Sequence, residues 1–212
     1  MLKKMISLSV LLFLVKQMSL ELIIGPMFAG KTAALQSIVR RRQAIGWNVL
    51  VIKHDIDTRY LSEKHANNMV VNHDQQQCPA KSSARLLDCF DWAEYKTAQL
   101  IVVEEGQFFG DLLEFVLQAV EKDSKDVVVV GLDGDAHRKP FGKILDLIPL
   151  ADNVHRIFAL CKMCGDGTPA RFTSANSTAV SEATSDGKPN VGASESYRPL
   201  CRKHWLQCAN NT

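Results

Sequence analysis

The segment that most restricts how this chain can fold is the run Gly25–Thr32. Its sequence, Gly-Pro-Met-Phe-Ala-Gly-Lys-Thr, has the spacing G-x-x-x-x-G-K-[ST]. The apolar stretch Leu20–Ile24 precedes it, and the helix-like stretch Ala33–Ile45 follows it. Between a strand and a helix, the backbone N–H groups of such a loop and the helix dipole point at phosphate oxygens. The segment therefore predicts a binding site for a nucleoside triphosphate.

Each part of this loop has a chemical role. The glycines let the backbone curl around anionic oxygens, Lys31 can reach the β- and γ-phosphates, and the Thr32 hydroxyl can ligate Mg²⁺. The competing interpretation, a glycine turn that only caps a core helix, requires strand, lysine and helix to coincide by chance. The residues expected to contact ATP and its Mg²⁺ are Gly25, Pro26, Met27, Phe28, Ala29, Gly30, Lys31 and Thr32.

The composition is typical of one globular domain with a small appendage. The chain has 212 residues, of which 46% are hydrophobic and 23% charged, and its formal net charge is +2. No long run of Lys or Arg accompanies this small charge. We therefore expect a small anionic ligand held locally and no nucleic-acid partner.

Residues 1–17 form an extension before the first predicted strand. Lys3 and Lys4, followed by the apolar run Met5–Val15, resemble a signal peptide, but no small-x-small cleavage site follows. The apolar run is also too short to span a bilayer as a helix. The two interpretations left open are a targeting role and a natural start at Met18. Unpaired cysteines and use of ATP favour a cytoplasmic protein with no membrane partner.

Apolar runs alternate with helix-like segments along the first 160 residues. The strand-like runs are Leu20–Ile24, Val49–Lys53, Leu100–Val103, Val127–Leu132 and Val154–Leu160, and the helix-like segments are Thr32–Ile45, Leu112–Glu121 and Phe141–Leu150. Continuous β-branched runs separated by helices predict a parallel sheet buried on both faces. We therefore expect the α/β class, with a P-loop domain over residues 18–160.

Two short pairs of metal ligands lie beyond residue 160. Cys161 and Cys164 form C-x-x-C, and Cys201 and His204 form C-x-x-H. Three thiolates and one imidazole suit tetrahedral Zn²⁺, and a closed set of four ligands indicates a structural site. The alternatives are a redox-active C-x-x-C and the use of Cys208 in place of His204.

The polar segment Thr173–Ser196 lies between the two ligand pairs. Its composition alone, rich in Ser, Thr, Ala, Asn and Gly, favours a flexible linker. A long loop held at both ends by metal ligands is more typical of a lid or binding loop. We therefore expect residues 161–208 to form a small zinc-binding domain that carries this loop, with residues 209–212 as a tail.

Two glutamates follow the third strand-like run. Glu104 and Glu105 stand directly after Leu100–Val103. At the end of a neighbouring parallel strand, an acidic residue faces the phosphate loop and holds Mg²⁺ through water. A second carboxylate beside the γ-phosphate can act as a general base toward an attacking hydroxyl. The alternative is a pair of surface glutamates that lead into a helix.

These segments together resemble the type II thymidine kinases, a cytosolic family with a RecA-like α/β domain and a zinc-tethered lasso loop. The resemblance runs in the expected order from about Met18 to His204. The segments that carry it are Gly25–Thr32, Asp57–Tyr60, Glu105–Phe109, Gly131–Gly134, Arg138–Gly142, the two ligand pairs and Val191–Tyr197.

The resemblance implies transfer of the γ-phosphoryl group of ATP to the 5′-hydroxyl of thymidine or deoxyuridine. By position, Glu105 is expected to be the general base and Glu104 to lie near Mg²⁺. The further residues expected near ATP are Asp57, Thr58, Arg59 and Gln107. Those expected around the nucleoside are Met27, Phe108, Leu132, Ala136, Thr173, Lys188, Pro189, Asn190, Val191, Gly192 and Tyr197.

The resemblance also implies a homotetramer and feedback inhibition by thymidine triphosphate. Two positions depart from the family pattern. Glu104 stands where Asp is usual, and Ala136 stands where an aromatic residue usually walls the nucleoside pocket. Ala136 is expected either to loosen base selectivity or to leave a gap that His137 fills.

Two other classes of protein fit the phosphate loop. One is a RecA-like ATPase or nucleic-acid-binding module with a zinc knuckle, which the small net charge and the lack of a basic, aromatic-interleaved groove disfavour. The other is an inactive relative that binds nucleotide as a regulator, which only Glu104 and Ala136 favour.

Overall fold

The structure, a computed structural model, describes residues 18–56, 69–71, 77–176 and 196–210. Some sequence predictions lie outside these residues, namely those for the extension 1–17 and for Asp57, Thr58, Arg59, Lys188, Pro189, Asn190, Val191 and Gly192.

The described strands form one central sheet and three small sheets. In chain order they are Leu20–Ile24 (β1), Val49–His54 (β2), Met69–Val71 (β3), Gln77–Pro79 (β4), Lys81–Ser83 (β5), Leu100–Glu104 (β6), Asp126–Gly131 (β7), Asn153–Arg156 (β8), Ala159–Leu160 (β9), Pro169–Ala170 (β10), Phe172–Ala175 (β11) and Tyr197–Leu200 (β12). The central sheet has the order β5-β2-β6-β7-β1-β8, and all its neighbouring strands are parallel. The predicted α/β class with a parallel sheet is confirmed.

Within the described ranges, the chain also forms four α-helices, three 3₁₀ helices and one π-helical turn. The α-helices are Lys31–Ala44 (α1), Ala93–Thr97 (α2), Leu112–Leu117 (α3) and Arg202–Ala209 (α4). The 3₁₀ helices are Leu87–Asp91, Gly106–Phe108 and Ile144–Leu150, and a π-helical turn, Gln118–Lys122, continues α3. Among the described residues, no helix combines the length and apolar character that crossing a membrane requires.

The sheet buries apolar side chains on both of its faces, as the β-branched runs predict. Successive residues of a strand point to opposite faces. On one face, Leu22 of β1 joins a core that includes Phe115 of α3. On the other face, Ile23 joins a core that includes Leu35 of α1. The helices on the two faces thus fix β1 and the loop that follows it.

The prediction of one continuous strand over Val154–Leu160 is wrong. The chain forms β8 at the edge of the central sheet, where all four residues are exposed, and then leaves the sheet. After this break, β9 pairs with β10 in an antiparallel sheet. An edge strand has only one partner, so it can end without breaking the core.

The small unit beyond β8 packs against the phosphate loop. Its core contains Ala159, Ala170 and Leu200 together with cysteine side chains. Phe28 and Ala29, both in the loop between β1 and α1, pack against this core. The arrangement places the predicted metal ligands beside the predicted nucleotide site.

Candidate active site

The phosphate loop has the strand–loop–helix context that its function requires. Strand β1 ends at Ile24, and α1 begins at Lys31. Gly30, which caps the helix, has φ 83°, a left-handed conformation that favours glycine. The Lys31 ammonium folds back over the loop and donates a 2.8 Å hydrogen bond to the Pro26 carbonyl oxygen. The loop is therefore compact and its lysine lies within it.

Gly25 is required at the start of the loop for a steric reason. Its φ is 152°, and a Cβ there would clash with the backbone carbonyl oxygen of Ile157. The Ile157 N–H also donates to the Ile24 carbonyl oxygen at 2.9 Å. The chain after β8 therefore lies directly against the loop and leaves room only for glycine.

Thr32 and Glu104, the two residues expected near Mg²⁺, are in contact. The Thr32 hydroxyl donates a 2.9 Å hydrogen bond to Glu104 Oε1. Glu104 is the last residue of β6 and is 5% exposed. In the sheet, β7 lies between β6 and β1. The contact forms because the loop after β1 places the first turn of α1 beside the carboxyl end of β6.

Glu105 is held by Gln107 at the end of the same strand. Gln107 Nε2 donates to Glu105 Oε2 at 2.6 Å, and Gln107 Oε1 accepts from the Leu132 N–H at 2.9 Å. Gln107 is 4% exposed, so its amide is committed to a fixed geometry. Glu105 itself has φ 51°, which is uncommon for a residue other than glycine. Such conformations persist where the surroundings hold them, often at functional sites.

Aromatic rings cluster around Phe108 and Phe109, which follow these carboxylates in the chain. Phe108 meets Phe141 edge to face, with ring centroids 5.6 Å apart. His54, at the carboxyl end of β2, lies 6.1 Å from Phe108 and 4.7 Å from Phe109. Sequence reasoning singled out Phe108 but missed His54 and Phe141. Ligands of open α/β sheets bind beyond the carboxyl ends of the strands, and that position was the available signal for His54.

Two residues expected around the nucleoside meet across the two units. The Met27 N–H of the phosphate loop donates a 3.0 Å hydrogen bond to Thr173 Oγ1 of β11. Thr173 is 4% exposed. Tyr197 lies on the partner strand, opposite Ala175 in the β11–β12 register, and burial raises the pKa of its phenol. The structure thus brings Met27 and Thr173 together, and Tyr197 lies on the other strand of the two-stranded sheet that contains Thr173.

Ala136 and His137 lie in the loop that follows β7. Ala136 is half-buried, and its carbonyl oxygen accepts a 3.2 Å hydrogen bond from Trp205 Nε1. His137 is exposed, and its N–H donates to Asp135 Oδ1 at 2.9 Å. Whether Ala136 loosens base selectivity or His137 fills the gap beside it stays a prediction.

The four predicted metal ligands converge on one point. The Sγ atoms of Cys161, Cys164 and Cys201 lie 3.4, 3.3 and 3.4 Å from His204 Nδ1. The Sγ atoms of Cys164 and Cys201 are 3.9 Å apart. In a tetrahedral zinc site, the sulfur–sulfur separation is about 3.8 Å and the sulfur–nitrogen separation about 3.5 Å. The residues present therefore fit a zinc ion.

The thiols of this set differ in how readily they ionise: burial is the main cause that raises the pKa of Cys164 to about 11, whereas the pKa of Cys161 is lowered. Burial raises the pKa of the Cys161 thiol, but backbone hydrogen bonds, led by the Cys201 N–H, outweigh it and lower its pKa to about 6. A thiolate, not a thiol, ligates metal. The proposed substitute Cys208 is outside this ligand set, and its Sγ accepts from Arg198 Nη2 at 3.2 Å. The alternative in which Cys208 replaces His204 is therefore wrong.

Comparison with known proteins identifies related sequences. The family profile described as thymidine kinase matches residues 18–205. A thymidine kinase of Oryza sativa subsp. japonica is 38% identical over 191 residues, covering 88% of this chain and 66% of that protein. A thymidine kinase of Myxoma virus (strain Lausanne) is 35% identical, with 87% and 94% covered. The cytosolic thymidine kinase of Homo sapiens is 36% identical, with 90% and 74% covered.

A solved structure of a DNA replication initiation factor also aligns with the fold. Its TM-score is 0.41 at 13% identity, and the alignment covers 70% of this chain and 43% of that chain. A similarity at this level carries no argument about function.

Proposed function

This chain belongs to the thymidine kinase family, and we propose that it transfers the γ-phosphoryl group of ATP to the 5′-hydroxyl of thymidine and of deoxyuridine. The products are ADP and the 5′-monophosphate, which enter DNA precursor synthesis by pyrimidine deoxynucleotide salvage. One observation carries the proposal: the phosphate loop meets the carboxyl end of β6, where the Thr32 hydroxyl donates a 2.9 Å hydrogen bond to Glu104.

The phosphate loop supplies the ATP site. In the structure, Lys31 donates to the Pro26 carbonyl oxygen at 2.8 Å. When ATP binds, Lys31 exchanges this acceptor for β- and γ-phosphate oxygens. A charged acceptor makes a stronger hydrogen bond than a neutral carbonyl. Binding therefore draws the lysine toward the phosphates without unfolding the loop. The family resemblance adds Asp57, Thr58 and Arg59 to this site.

Thr32 and Glu104 would hold Mg²⁺ between them and the phosphates. A hydroxyl and a carboxylate are hard oxygen donors of the kind that Mg²⁺ prefers, and Mg²⁺ usually takes only one or two protein ligands beside phosphate and water. When bound, the ion neutralises the charge that develops on the transferred group. The Glu104 side chain is longer than the usual Asp, and its carboxylate still lies within hydrogen-bond distance of the Thr32 hydroxyl.

Glu105 acts as the general base. Gln107 Nε2 holds one of its carboxylate oxygens at 2.6 Å, which fixes the orientation of the carboxylate. The attacking 5′-oxygen forms a bond to the γ-phosphorus, the bond from that phosphorus to the ADP oxygen breaks, and the proton of the hydroxyl passes to Glu105. Gln107, which was expected near ATP, positions this base.

The nucleoside lies between the phosphate loop and the small unit. Met27 and Thr173, joined by a 3.0 Å hydrogen bond, form part of the wall of its pocket. By the family resemblance, Phe108, Leu132 and Ala136 complete this wall. The family resemblance adds Tyr197 and the backbone of residues 188–192, which close over the base. A backbone that pairs with the pyrimidine edge rejects a mismatched base, because buried polar groups would then be unpaired.

Zinc at Cys161, Cys164, Cys201 and His204 is structural. The four ligands form a closed set, so no coordination position is available to substrate. Phe28 and Ala29 of the phosphate loop pack against the core that contains these cysteines. We assign to the metal the role of holding the small unit beside the loop.

Cellular and quaternary properties follow from the family. The human and chicken relatives are described as cytosolic, which supports a cytoplasmic location for this chain. A homotetramer and feedback inhibition by thymidine triphosphate rest on the family resemblance. Sedimentation of the purified chain and inhibition kinetics test them separately.

The proposal is tested by incubating the purified chain with Mg-ATP and each natural deoxynucleoside. We expect phosphate transfer to thymidine and deoxyuridine and little to the purine deoxynucleosides. Nucleotide binding without transfer to any nucleoside would instead support the regulatory relative. ATP hydrolysis that single-stranded DNA stimulates, with strong salt dependence, would support the nucleic-acid-binding alternative.

A further inference from the structure

Trp205, the residue after the metal ligand His204, connects the metal-binding unit to the α/β domain. Its indole Nε1 donates a 3.2 Å hydrogen bond to the Ala136 carbonyl oxygen. Ala136 belongs to the loop of residues 132–140 that follows β7, which we call the pocket loop. We infer that Trp205 is a positioning residue that fixes the pocket loop to the metal cluster, so that affinity for the nucleoside depends on the metal. This inference rests on the proposed nucleoside site.

A cation stacked on the indole ring reinforces the contact. The Arg138 guanidinium lies 3.8 Å from the centroid of the Trp205 ring and 5.5 Å from that of Phe172. Guanidinium groups are attracted to the faces of aromatic rings, most of all to tryptophan. Arg138 has φ 64°, a conformation that a residue other than glycine keeps only when its surroundings hold it. Trp205 thus contacts the pocket loop at both Ala136 and Arg138.

The pocket loop itself is a preformed unit. Asp135 Oδ1 accepts the N–H groups of His137 at 2.9 Å and of Lys139 at 2.8 Å. The Asp135 N–H donates back to the Lys139 carbonyl oxygen at 2.9 Å. Because these bonds are local and both His137 and Lys139 are exposed, we expect the anchors to decide the position of the loop and how often these bonds open.

One anchor leads to the metal and the other to the catalytic base. At the amino end of the loop, the Leu132 N–H donates to Gln107 Oε1, and Gln107 Nε2 donates to Glu105. At the middle of the loop, Trp205 holds Ala136. Loss of the Trp205 anchor frees the wall of the nucleoside pocket while Gln107 still holds the base. We therefore expect an effect on the KM for thymidine that exceeds the effect on kcat.

The discriminating variant is Trp205→Phe, which keeps an aromatic ring but removes the N–H donor. We expect the KM for thymidine to rise roughly fivefold to tenfold, the loss expected for one hydrogen bond. The KM for ATP and kcat should change less than about twofold, and zinc content should stay the same. The matched control is Trp47→Phe, because Arg42 stacks on Trp47 at 4.6 Å and Trp47 packs against the core that contains Leu35 of α1.

A second readout does not depend on activity. Hydrogen exchange at the His137 and Lys139 amides should accelerate several-fold in Trp205→Phe and in metal-depleted wild type, and not in Trp47→Phe. Arg138→Gln tests the stacked contact without touching the residue next to a metal ligand, and should raise the same KM and exchange rates.

Wild type that phosphorylates no nucleoside would overturn the proposed function, while the exchange rates would still test the anchor. Unchanged exchange rates would overturn the inference. It would also be overturned if the KM for ATP and kcat changed by as large a factor as the KM for thymidine.

Discussion

The Thr32 hydroxyl donates a 2.9 Å hydrogen bond to Glu104 Oε1 and so joins the helix after the phosphate loop to the end of β6. The two residues lie 72 positions apart in the sequence. In the proposed function, Mg²⁺ and the phosphates are held beside this contact. The proposal also makes Glu105, the next residue, the base that faces the transferred group.

Replacing Glu104 with Gln should weaken the use of Mg²⁺. The amide keeps an acceptor for the Thr32 hydroxyl but removes the negative charge that attracts the ion. We expect kcat to fall roughly 10²- to 10³-fold, the order found for losing one electrostatic contact to a transition state. The Mg²⁺ concentration needed for half-maximal rate should rise.

The measurement is initial rate against Mg²⁺ at saturating ATP. Glu104→Asp, which restores the residue usual in the family, should keep most of the rate. Glu94→Gln is the matched control, because Glu94 is exposed and pairs with Lys81 at 2.7 Å. A normal Mg²⁺ requirement in Glu104→Gln would contradict the assignment.

Replacing Gln107 with Ala should release Glu105 and unpair the Leu132 N–H. An unsatisfied buried donor costs about 1–3 kcal/mol, so the free energy of unfolding should fall by that order. Turnover should fall further than stability alone explains, because the base loses its orientation. Denaturant unfolding and kcat, measured on the same preparation, separate the two effects. Wild-type kcat in a destabilised protein would refute the positioning role of Gln107.

Removing the metal should loosen both the small unit and the phosphate loop. Phe28 packs against the core that holds Cys161 and Cys201. A chelator, or Cys161→Ser, should therefore lower the thermal midpoint and weaken ATP binding together. Metal analysis should find one zinc per chain in wild type. Cys208→Ser should retain the full metal content, and a loss of zinc in that variant would contradict the ligand set.

Replacing Ala136 with Phe should tighten selection of the base. An aromatic ring at this position restores the wall usual in the family, and burial of its apolar surface is worth about 1.5–3 kcal/mol at most. The ratio of kcat/KM for thymidine to that for deoxycytidine should rise about tenfold, which corresponds to about 1.4 kcal/mol. His137→Phe, at the exposed neighbour, is the control and should leave the ratio unchanged. An equal rise in both variants would show that Ala136 does not face the base.

The parts of the site that the sequence predicted are those set by short spacings. The G-x-x-x-x-G-K-[ST] run brings Lys31 over its own loop, and the C-x-x-C spacing brings Cys161 beside Cys164 by local chain geometry alone. Continuous β-branched runs likewise predicted the buried strands β6 and β7, whose residues are all buried. Local spacing and burial of apolar side chains were sufficient for these features.

Long-range pairing was beyond the reach of the sequence. The contacts Trp205–Ala136 and Met27–Thr173 join residues 69 and 146 positions apart. Strand order, with β7 between β1 and β6, depends on such pairings as well. The edge strand β5, Lys-Ser-Ser, was missed because it has no apolar residue and pairs with β2 alone. The helix α4 was missed because none of its residues is fully buried.

The most direct test of the account is thymidine phosphorylation by Glu105→Gln. This variant keeps the size of the side chain but cannot accept the proton of the 5′-hydroxyl, so kcat should fall about 10²- to 10⁴-fold. ATP binding, measured by calorimetry, should stay within about twofold, since Lys31 and the loop are untouched. The matched control is Glu114→Gln on the exposed side of α3. Full activity in Glu105→Gln, or equal loss of binding and turnover, would contradict the assignment of Glu105 as the base.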